Sequence, residues 1–583
     1  MAAATTGQYC INARTKMELQ SMKYYSNSSS LSTFGWRSSS SNNSYVKRYL
    51  VTCSLSMNGC HGDPRAPMGT IETRTLPAVQ SPALAMDRLN AAIANMQSDP
   101  SAYESGIIRL EVPIDQQIRA LDWLQSQDQS NVLPRCFFSG RKRITISDLS
   151  FNGRINGNGN GHGSSHISTS IEQNDVVSVA GVGSAVLFRS LSPFSHDDWL
   201  SIRRFLSKNC PLIRAYGGIR FDGRANISPE WRSFGSFYFM VPQVEFNELE
   251  GSSKIAATIA WDNALSCSYQ NAIAALKSTM AKVTSLIRKL REESSPMHIT
   301  RKAHVPNRSA WDVTVNRALD EIKAVDSPLT KVVLARSSQV LTSKDIDPLT
   351  WLDTLKADGN DVYQFCLQPP ESPAFIGNTP EQLFRRDQLN VFSEALAATR
   401  GRGASQSSDL QMAQDLFSSI KDHHEFTIVR ENIKGKLEAI CSSVAVNPEK
   451  VVRKLARVQH LYGRFSGKLY SDNDEFKILS SLHPTPAVCG FPAEDARAFI
   501  TETEMFDRGM YAGPVGFFGG AQSEFAVGIR SALVGKDIGA LIYAGLGVVE
   551  GSDPALEWQE LELKASQFMK LMKLEVPALA AVA

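Results

Sequence analysis

The chain has 583 residues, 43% hydrophobic and 21% charged, a globular composition with room for a sizeable core. Its 61 basic and 59 acidic residues leave +2 overall, but up to Gly62 the only acidic residue is Glu18, against Arg14, Lys16, Lys23, Arg37, Lys47 and Arg48. That puts +5 at the front and leaves the body at −3, which argues against nucleic acid as a partner because phosphate contacts need a clustered cationic face.

The front segment, residues 1–60, starts Met1-Ala2-Ala3-Ala4 and carries serine runs such as Ser28-Ser29-Ser30 and Ser38-Ser39-Ser40-Ser41. Scarce acidic residues with abundant serine and scattered cations read as an organelle-import presequence, plastid rather than mitochondrial, with cleavage expected near Val51-Thr52-Cys53. The expected location is therefore the plastid stroma. No apolar run reaches the roughly 18 to 20 residues that cross a bilayer, so no membrane span is expected. Nine cysteines occur without a Cys-x-x-Cys pair or a zinc spacing and read as reduced core residues.

Residues 61–84 read as a Pro-containing linker. The folded body is expected from Ala85, where Leu89, Ile93 and Met96 recur at helical spacing. A first half, 85–300, carries strand-like text at 106–112, 176–182 and 236–242. Between the first two lies a Gly/Asn-rich surface loop over 152–166. A helix is expected over 270–290, and the charged, proline-bearing stretch 291–306 marks the start of a second half, 301–575, ahead of a short tail, 576–583.

In the second half the pattern predicts a helix over 311–325, a strand over 331–340, one long helix over 407–440, and strands over 525–533 and 540–543. No period of 20 to 50 residues repeats. Gly181-Val182-Gly183 and Gly545-Leu546-Gly547 lack the spacing of a dinucleotide loop, and there is no P-loop, so nucleotide cofactors are not expected.

The residues that could carry chemistry cluster in this half. A period of two puts Lys331 on one strand face with Val333 and Ala335. Desolvation there would favour the neutral amine, a base for water; the other reading is a strand-end lysine reaching out to solvent. Glu381 follows the turn sequence Gly377-Asn378-Thr379-Pro380. It reads either as an ordinary first-turn helix acid or as a carboxyl kept protonated by an apolar pocket, able to protonate a departing hydroxyl. Glu425 shares a helix face with Ile428 and Val429. Asp553-Pro554 is a helix start that sets Glu557, Glu560 and Lys564 on one face. Glutamates from two helices suit a hard divalent cation such as Mg2+, although Glu557 and Glu560 alone also fit a solvated Glu/Lys stripe.

In order along the chain stand Lys331-Val332-Val333-Leu334-Ala335-Arg336, Thr379-Pro380-Glu381-Gln382-Leu383, Ala397-Ala398-Thr399-Arg400-Gly401-Arg402-Gly403, His424-Glu425, Leu482-His483-Pro484-Thr485-Pro486-Ala487-Val488-Cys489-Gly490, Gly528-Ile529-Arg530 and Glu557-Trp558-Gln559-Glu560. This set resembles the chorismate-utilising enzymes, and 214–245 resembles the first half of the same family. One departure is that the family's usual Ala-Gly-Thr-Arg reads Ala397-Ala398-Thr399-Arg400 here.

The resemblance implies an α+β fold of two packed antiparallel sheets with helices on their outer faces. Lys331 would activate water for attack at C2 of chorismate, and Glu381 would protonate the hydroxyl leaving C4. Glu425 and Glu560 would hold Mg2+ against the ring carboxylate, with Glu557 acting through water. Arg530 and the backbone at Gly545 would clamp the enolpyruvyl carboxylate, Lys564 would add positive charge, and Ala398, Thr399, Leu482 and His483 would complete the substrate site. Within the family, lysine at 331 and the absence of a fused glutaminase disfavour the ammonia-using branches, and 482–487 resembles the isochorismate synthases, whose product leads toward salicylate and phylloquinone. The alternatives are a salicylate synthase or another chorismate-utilising enzyme, or a chorismate-binding relative without turnover. A monomer without a glutaminase subunit is expected.

Overall fold

The computed structural model describes residues 57–127, 132–141, 176–287, 297–356, 361–472 and 474–571. Residues 1–56 of the expected presequence, the Gly/Asn-rich loop and the tail lie outside them. The described residues all belong to one compact unit, so the two halves read from the sequence share one body.

Twenty-two strands of the described residues are linked by hydrogen bonds into one network. From Val176–Ser190 the ladder runs one way through Arg135–Ser139, Tyr363–Gln368, Ala374–Thr379, Ser531–Gly535 and Gly539–Val549 to Lys331–Thr342. From its other neighbour, Phe237–Leu249, the ladder runs through Arg214–Ile219, Pro514–Gly519, Gln522–Val527, Gln382–Asp387 and Asn390–Gly401 to Val458–Leu469. All these pairings are antiparallel. The two arms touch across the core, where Phe138 meets Phe517 edge-on at 5.9 Å and the Tyr363 hydroxyl donates to Glu524 at 2.7 Å. The expected pair of antiparallel sheets is thus present as two arms growing from a shared root.

Helices pack against the strands, as expected: Ile420–Glu438 against Asn390–Gly401 and Val458–Leu469, Pro554–Leu571 against Gly539–Val549, and Ala493–Thr503 against Lys331–Thr342. A near-continuous hydrophobic cluster fills the interior. No helix among the described residues is long and apolar enough to cross a membrane.

Several boundaries differ from the sequence reading, each for a local reason. The 61–84 stretch is no linker. Thr70–Thr75 pairs in parallel with the strand Ser105–Ile114, and the next helix starts at Pro82, capped by the Ser81 side chain. Even Met57–Asn58 pairs with Val186 and Leu187, so the folded body reaches back past residue 60. The helix expected over 270–290 ends at Met280, and 299–305 of the expected boundary stretch forms a strand on Lys331–Thr342. The long helix of 407–440 is two, Gln406–Ser418 and Ile420–Glu438. Ser419 turns extended (ψ 125) and its side chain accepts from the Asp422 N–H, a competing local bond that starts a new helix. The strand expected over 525–533 breaks between Val527 and Ser531, where Arg530 sits at φ 49.

That break has a counterpart. The chain leaves the first arm at Thr379 and enters the second at Gln382, then leaves the second at Val527 and re-enters the first at Ser531. The two crossings are stitched side by side: Val527 N–H donates to Glu381 O at 3.0 Å, and Asn378 N–H to Arg530 O at 3.0 Å. Glu381 and Arg530 are therefore placed by the same seam.

Candidate active site

A cleft partly open to solvent lies along this seam. Its walls come from the crossings, from Leu396–Arg400 and His460 on the second arm, from 544–547 on the first, and from the two helices that carry Glu425, Glu557, Glu560 and Lys564.

Lys331 begins its strand fully buried, so the solvent-directed alternative is excluded. Its Nζ lies 3.0 Å from Glu425 Oε1. The pair meets over Gly547: a Cβ built there would stand 2.6 Å from both Lys331 Cε and Glu425 Oε1. Glycine at 547 thus leaves the space in which the Lys331 amine meets the Glu425 carboxylate at the back of the cleft wall.

Glu381 is not in a helix; it occupies the turn between two strands and is 4% exposed. Burial, reinforced by the charge of Glu394, pushes its carboxyl up to about 8, against the pull of Lys331, Lys564 and Arg530. At neutral pH it carries its proton.

The three helix glutamates also face the cleft, and each is held by a lysine. Glu425 pairs with Lys331, Glu557 accepts from Lys421 at 2.8 Å, and Glu560 lies 2.6 Å from Lys564. Burial raises the Glu557 carboxyl, whereas at Glu560 burial is outweighed by Lys564 together with Lys421 and Arg400, which hold it low. With Glu557 3% exposed, the solvated-stripe reading fails. Among the described residues no three His, Cys, Asp or Glu side chains close on a common point at metal-holding distance. The donors around the cleft are all hard carboxylate oxygens, the type that suits magnesium, but lysine amines stand where a cation would compete for them.

Lys564 Nζ also donates to Gly545 O at 2.9 Å. Ala398 sits at φ 57 in a bulge of Asn390–Gly401, where the opposing register slips between Ala397 and Thr399. That left-handed backbone is where glycine is least strained, which accounts physically for the residue the family prefers there.

Nine of the twelve candidate residues thus line the cleft, Glu381, Ala398, Thr399, Glu425, Arg530, Gly545, Glu557, Glu560 and Lys564, and Lys331 stands behind that wall, joined to it through Glu425. Leu482 and His483 do not line it. Leu482 is buried in the core. His483 Nε2 lies 3.2 and 3.1 Å from the carbonyls of Arg220 and Phe221, and burial pushes the ring down to about 4. Only Ala487 and Val488 of that block reach the cleft.

The sequence reading missed His460, Tyr511, Lys421, Asp422 and Arg400, all of which line it. His460 Nδ1 lies 3.0 Å from Ala398 O and 3.2 Å from Thr399 Oγ1, and because a carbonyl only accepts, the shorter contact favours the tautomer with the proton on Nδ1. Nε2 then keeps a lone pair with no partner among the described residues. Burial, with Arg530 nearby, holds the ring neutral. A histidine inside the apolar strand text Val458-Gln459-His460-Leu461 was the available signal. Asp422, whose carboxyl burial raises, pairs with Arg400 at the rim.

Residues 190–573 match the model of the family described as chorismate binding enzyme, and the chain belongs to that family. Two curated relatives share most of its length. The chloroplastic isochorismate synthase of Catharanthus roseus is 71% identical over 91% of this chain and 92% of its own. The chloroplastic isochorismate synthase 2 of Arabidopsis thaliana is 56% identical over 95% and 96%. Among solved structures, the menaquinone-specific isochorismate synthase from Escherichia coli superposes with a TM-score of 0.67 at 25% identity, covering 85% of this chain and all of that one.

Proposed function

We propose that the chain is a plastid isochorismate synthase, exchanging the C4 hydroxyl of chorismate for one at C2. The observation that carries the reading is a buried protonated carboxyl on the crossing, lining the cleft, with a buried amine directly behind the cleft wall against Glu425. With Lys331 released from Glu425 as the neutral amine, water attacks C2 and gives that amine a proton; the ring double bonds shift; the C4–O bond breaks, and Glu381 supplies the proton with which that oxygen leaves as water. Each group ends one proton from its starting state: the reverse reaction resets both, and a second forward turnover needs Lys331 to lose a proton to solvent and Glu381 to regain one.

The substrate is a dianion, and an unpaired buried carboxylate costs several kcal/mol, so the cleft must offer cations. Arg530 and Lys564 supply them, the latter beside the Gly545 carbonyl. Glu425 and Glu560, with Glu557 nearby, are the carboxylates that would hold a magnesium ion, whose charge would neutralise the ring carboxylate; holding it requires them to release their lysines. His460, neutral and fixed by Ala398, offers an acceptor to a substrate hydroxyl. Because water is the incoming group, no ammonia source and no glutaminase subunit is needed.

The test is product analysis: purified protein with chorismate and magnesium, quenched and separated by chromatography. Isochorismate is expected, with loss of activity on chelation, and a Lys331→Ala protein should bind chorismate without converting it. Salicylate with pyruvate as the main products, or a normal rate for Lys331→Ala, would refute the reading.

A further inference from the structure

Behind the Pro380–Glu381 crossing lies a buried ionic cluster that the reaction as written does not use. Arg141 Nη1 donates to the Pro380 carbonyl at 2.7 Å and to Glu394 Oε2 at 2.9 Å, and its Nη2 pairs with Glu394 Oε1. Arg453 Nη1 donates to the same Pro380 carbonyl at 3.1 Å and lies 3.8 Å from Glu394 Oε2. Tyr462 donates to Glu394 Oε1 at 2.8 Å. All three charged side chains are at most 5% exposed.

We propose that Glu394, through Arg141 and Arg453, is a positioning residue for the acid: it locks the peptide before Glu381 and sets a permanent negative charge behind that carboxyl. The inference rests on Glu381 being the proton donor. Buried ion networks are seldom kept for stability alone, because desolvation offsets most of their attraction. Two guanidiniums aimed at one carbonyl oxygen, that of the residue preceding Glu381, indicate a geometric role. Glu381's own carbonyl is held from the other side by Val527 N–H, so the backbone is pinned on both flanks.

The charge has a second effect. Burial alone would push Glu394 up, yet Arg141 and Arg453 hold it below the usual carboxylate range, so it stays ionised. It is the second influence, after burial, that raises Glu381. The other groups facing Glu381 are Lys331, Lys564 and Arg530, which oppose the rise, and Tyr511, kept neutral by its own burial. Arg141 and Arg453 stand behind Glu394, so its removal would also leave their positive charge uncompensated.

The experiment is the pH dependence of kcat and KM in the forward reaction for the wild type, Glu394→Gln, Glu394→Asp and Glu381→Gln, with thermal unfolding of each. Wild-type kcat is expected to fall as pH rises through about 8. In Glu394→Gln that limb should move down by about one pH unit with KM little changed. Glu394→Asp keeps the charge but shortens the clamp, so the limb should stay and kcat should drop about tenfold. A lower melting temperature with an unmoved limb and unchanged kcat would mean that the cluster is only structural. Should Glu394→Gln fail to fold, the Asp variant decides alone: normal kcat overturns the proposal. An active Glu381→Gln protein would instead sink the assignment of the acid itself; an inactive one with no effect at Glu394 sinks only this inference.

Discussion

Replacing Gly547 by alanine adds one methyl group at the place where Lys331 and Glu425 meet. The backbone of Gly547 is within ordinary strand geometry, paired with Val333, so the substitution brings no dihedral strain, and its effect comes from space alone. The new Cβ would stand 2.6 Å from Lys331 Cε, 2.6 Å from Glu425 Oε1 and 3.2 Å from Lys331 Nζ, where ordinary contact starts near 3.4 Å. Both side chains must retreat by roughly 1 Å, and a displacement of that size at reacting groups costs on the order of a hundredfold in rate. Overpacking also costs about 1–3 kcal/mol of stability. The control is Gly435→Ala on the helix Ile420–Glu438, where a Cβ meets nothing within 4 Å; there alanine should stabilise by about 0.5–1 kcal/mol. Chorismate turnover coupled to an isochorismate-consuming enzyme, with thermal unfolding of both variants, measures the contrast. A Gly547→Ala protein with near wild-type kcat would show that the Lys331–Glu425 pair is not at the reacting centre.

Glu381→Gln should abolish turnover and should also unfold at a higher temperature than the wild type in alkaline buffer. The reason is linkage: with the folded carboxyl at about 8 and its ordinary value at 4.5, the folded state holds the proton more tightly, so stability is lost as pH rises between the two. The stability difference between wild type and variant should therefore widen from pH 4.5 to 8; a constant difference in a pH series of melts refutes it. Ala398→Gly relieves a left-handed alanine and should leave the fold as stable or more stable, by at most about 1 kcal/mol, as read by chemical denaturation. His483→Ala should destabilise the protein by about 1–3 kcal/mol through the lost contacts to the Arg220 and Phe221 carbonyls; the KM for chorismate should not change, and a raised KM would return His483 to the substrate site.

What was legible in the sequence follows from the range of the interactions involved. Period-two and helical spacing placed Lys331 with Val333 and Glu557 with Glu560 and Lys564 on the right faces, because those relations are fixed within one element. The cap at Asp553 was equally local, and its Oδ1 accepts from the Leu556 N–H at 3.0 Å. Whether a face is buried is decided elsewhere. The sequence could not choose between a solvent-directed and a buried Lys331, because the choice is made by Gly547, more than two hundred residues away. Residue order likewise tied His483 to chemistry, though its ring is spent on two carbonyls of the first half. It also concealed His460, whose role depends on a bulge in the neighbouring strand.

The hardest feature to read was the seam itself. Thr379-Pro380-Glu381-Gln382 looks like a turn into a helix, and 525–533 looks like one strand, because each was judged alone. Side by side, each satisfies the other's backbone through the Val527–Glu381 and Asn378–Arg530 bonds, and neither conformation would be stable without its partner. That mutual dependence explains why an acid and a cation for an anionic substrate appear together at one edge of the cleft. The chain must interrupt both arms to pass between them, and the residues at the interruptions, freed from ladder pairing, are the ones able to turn their side chains toward a ligand.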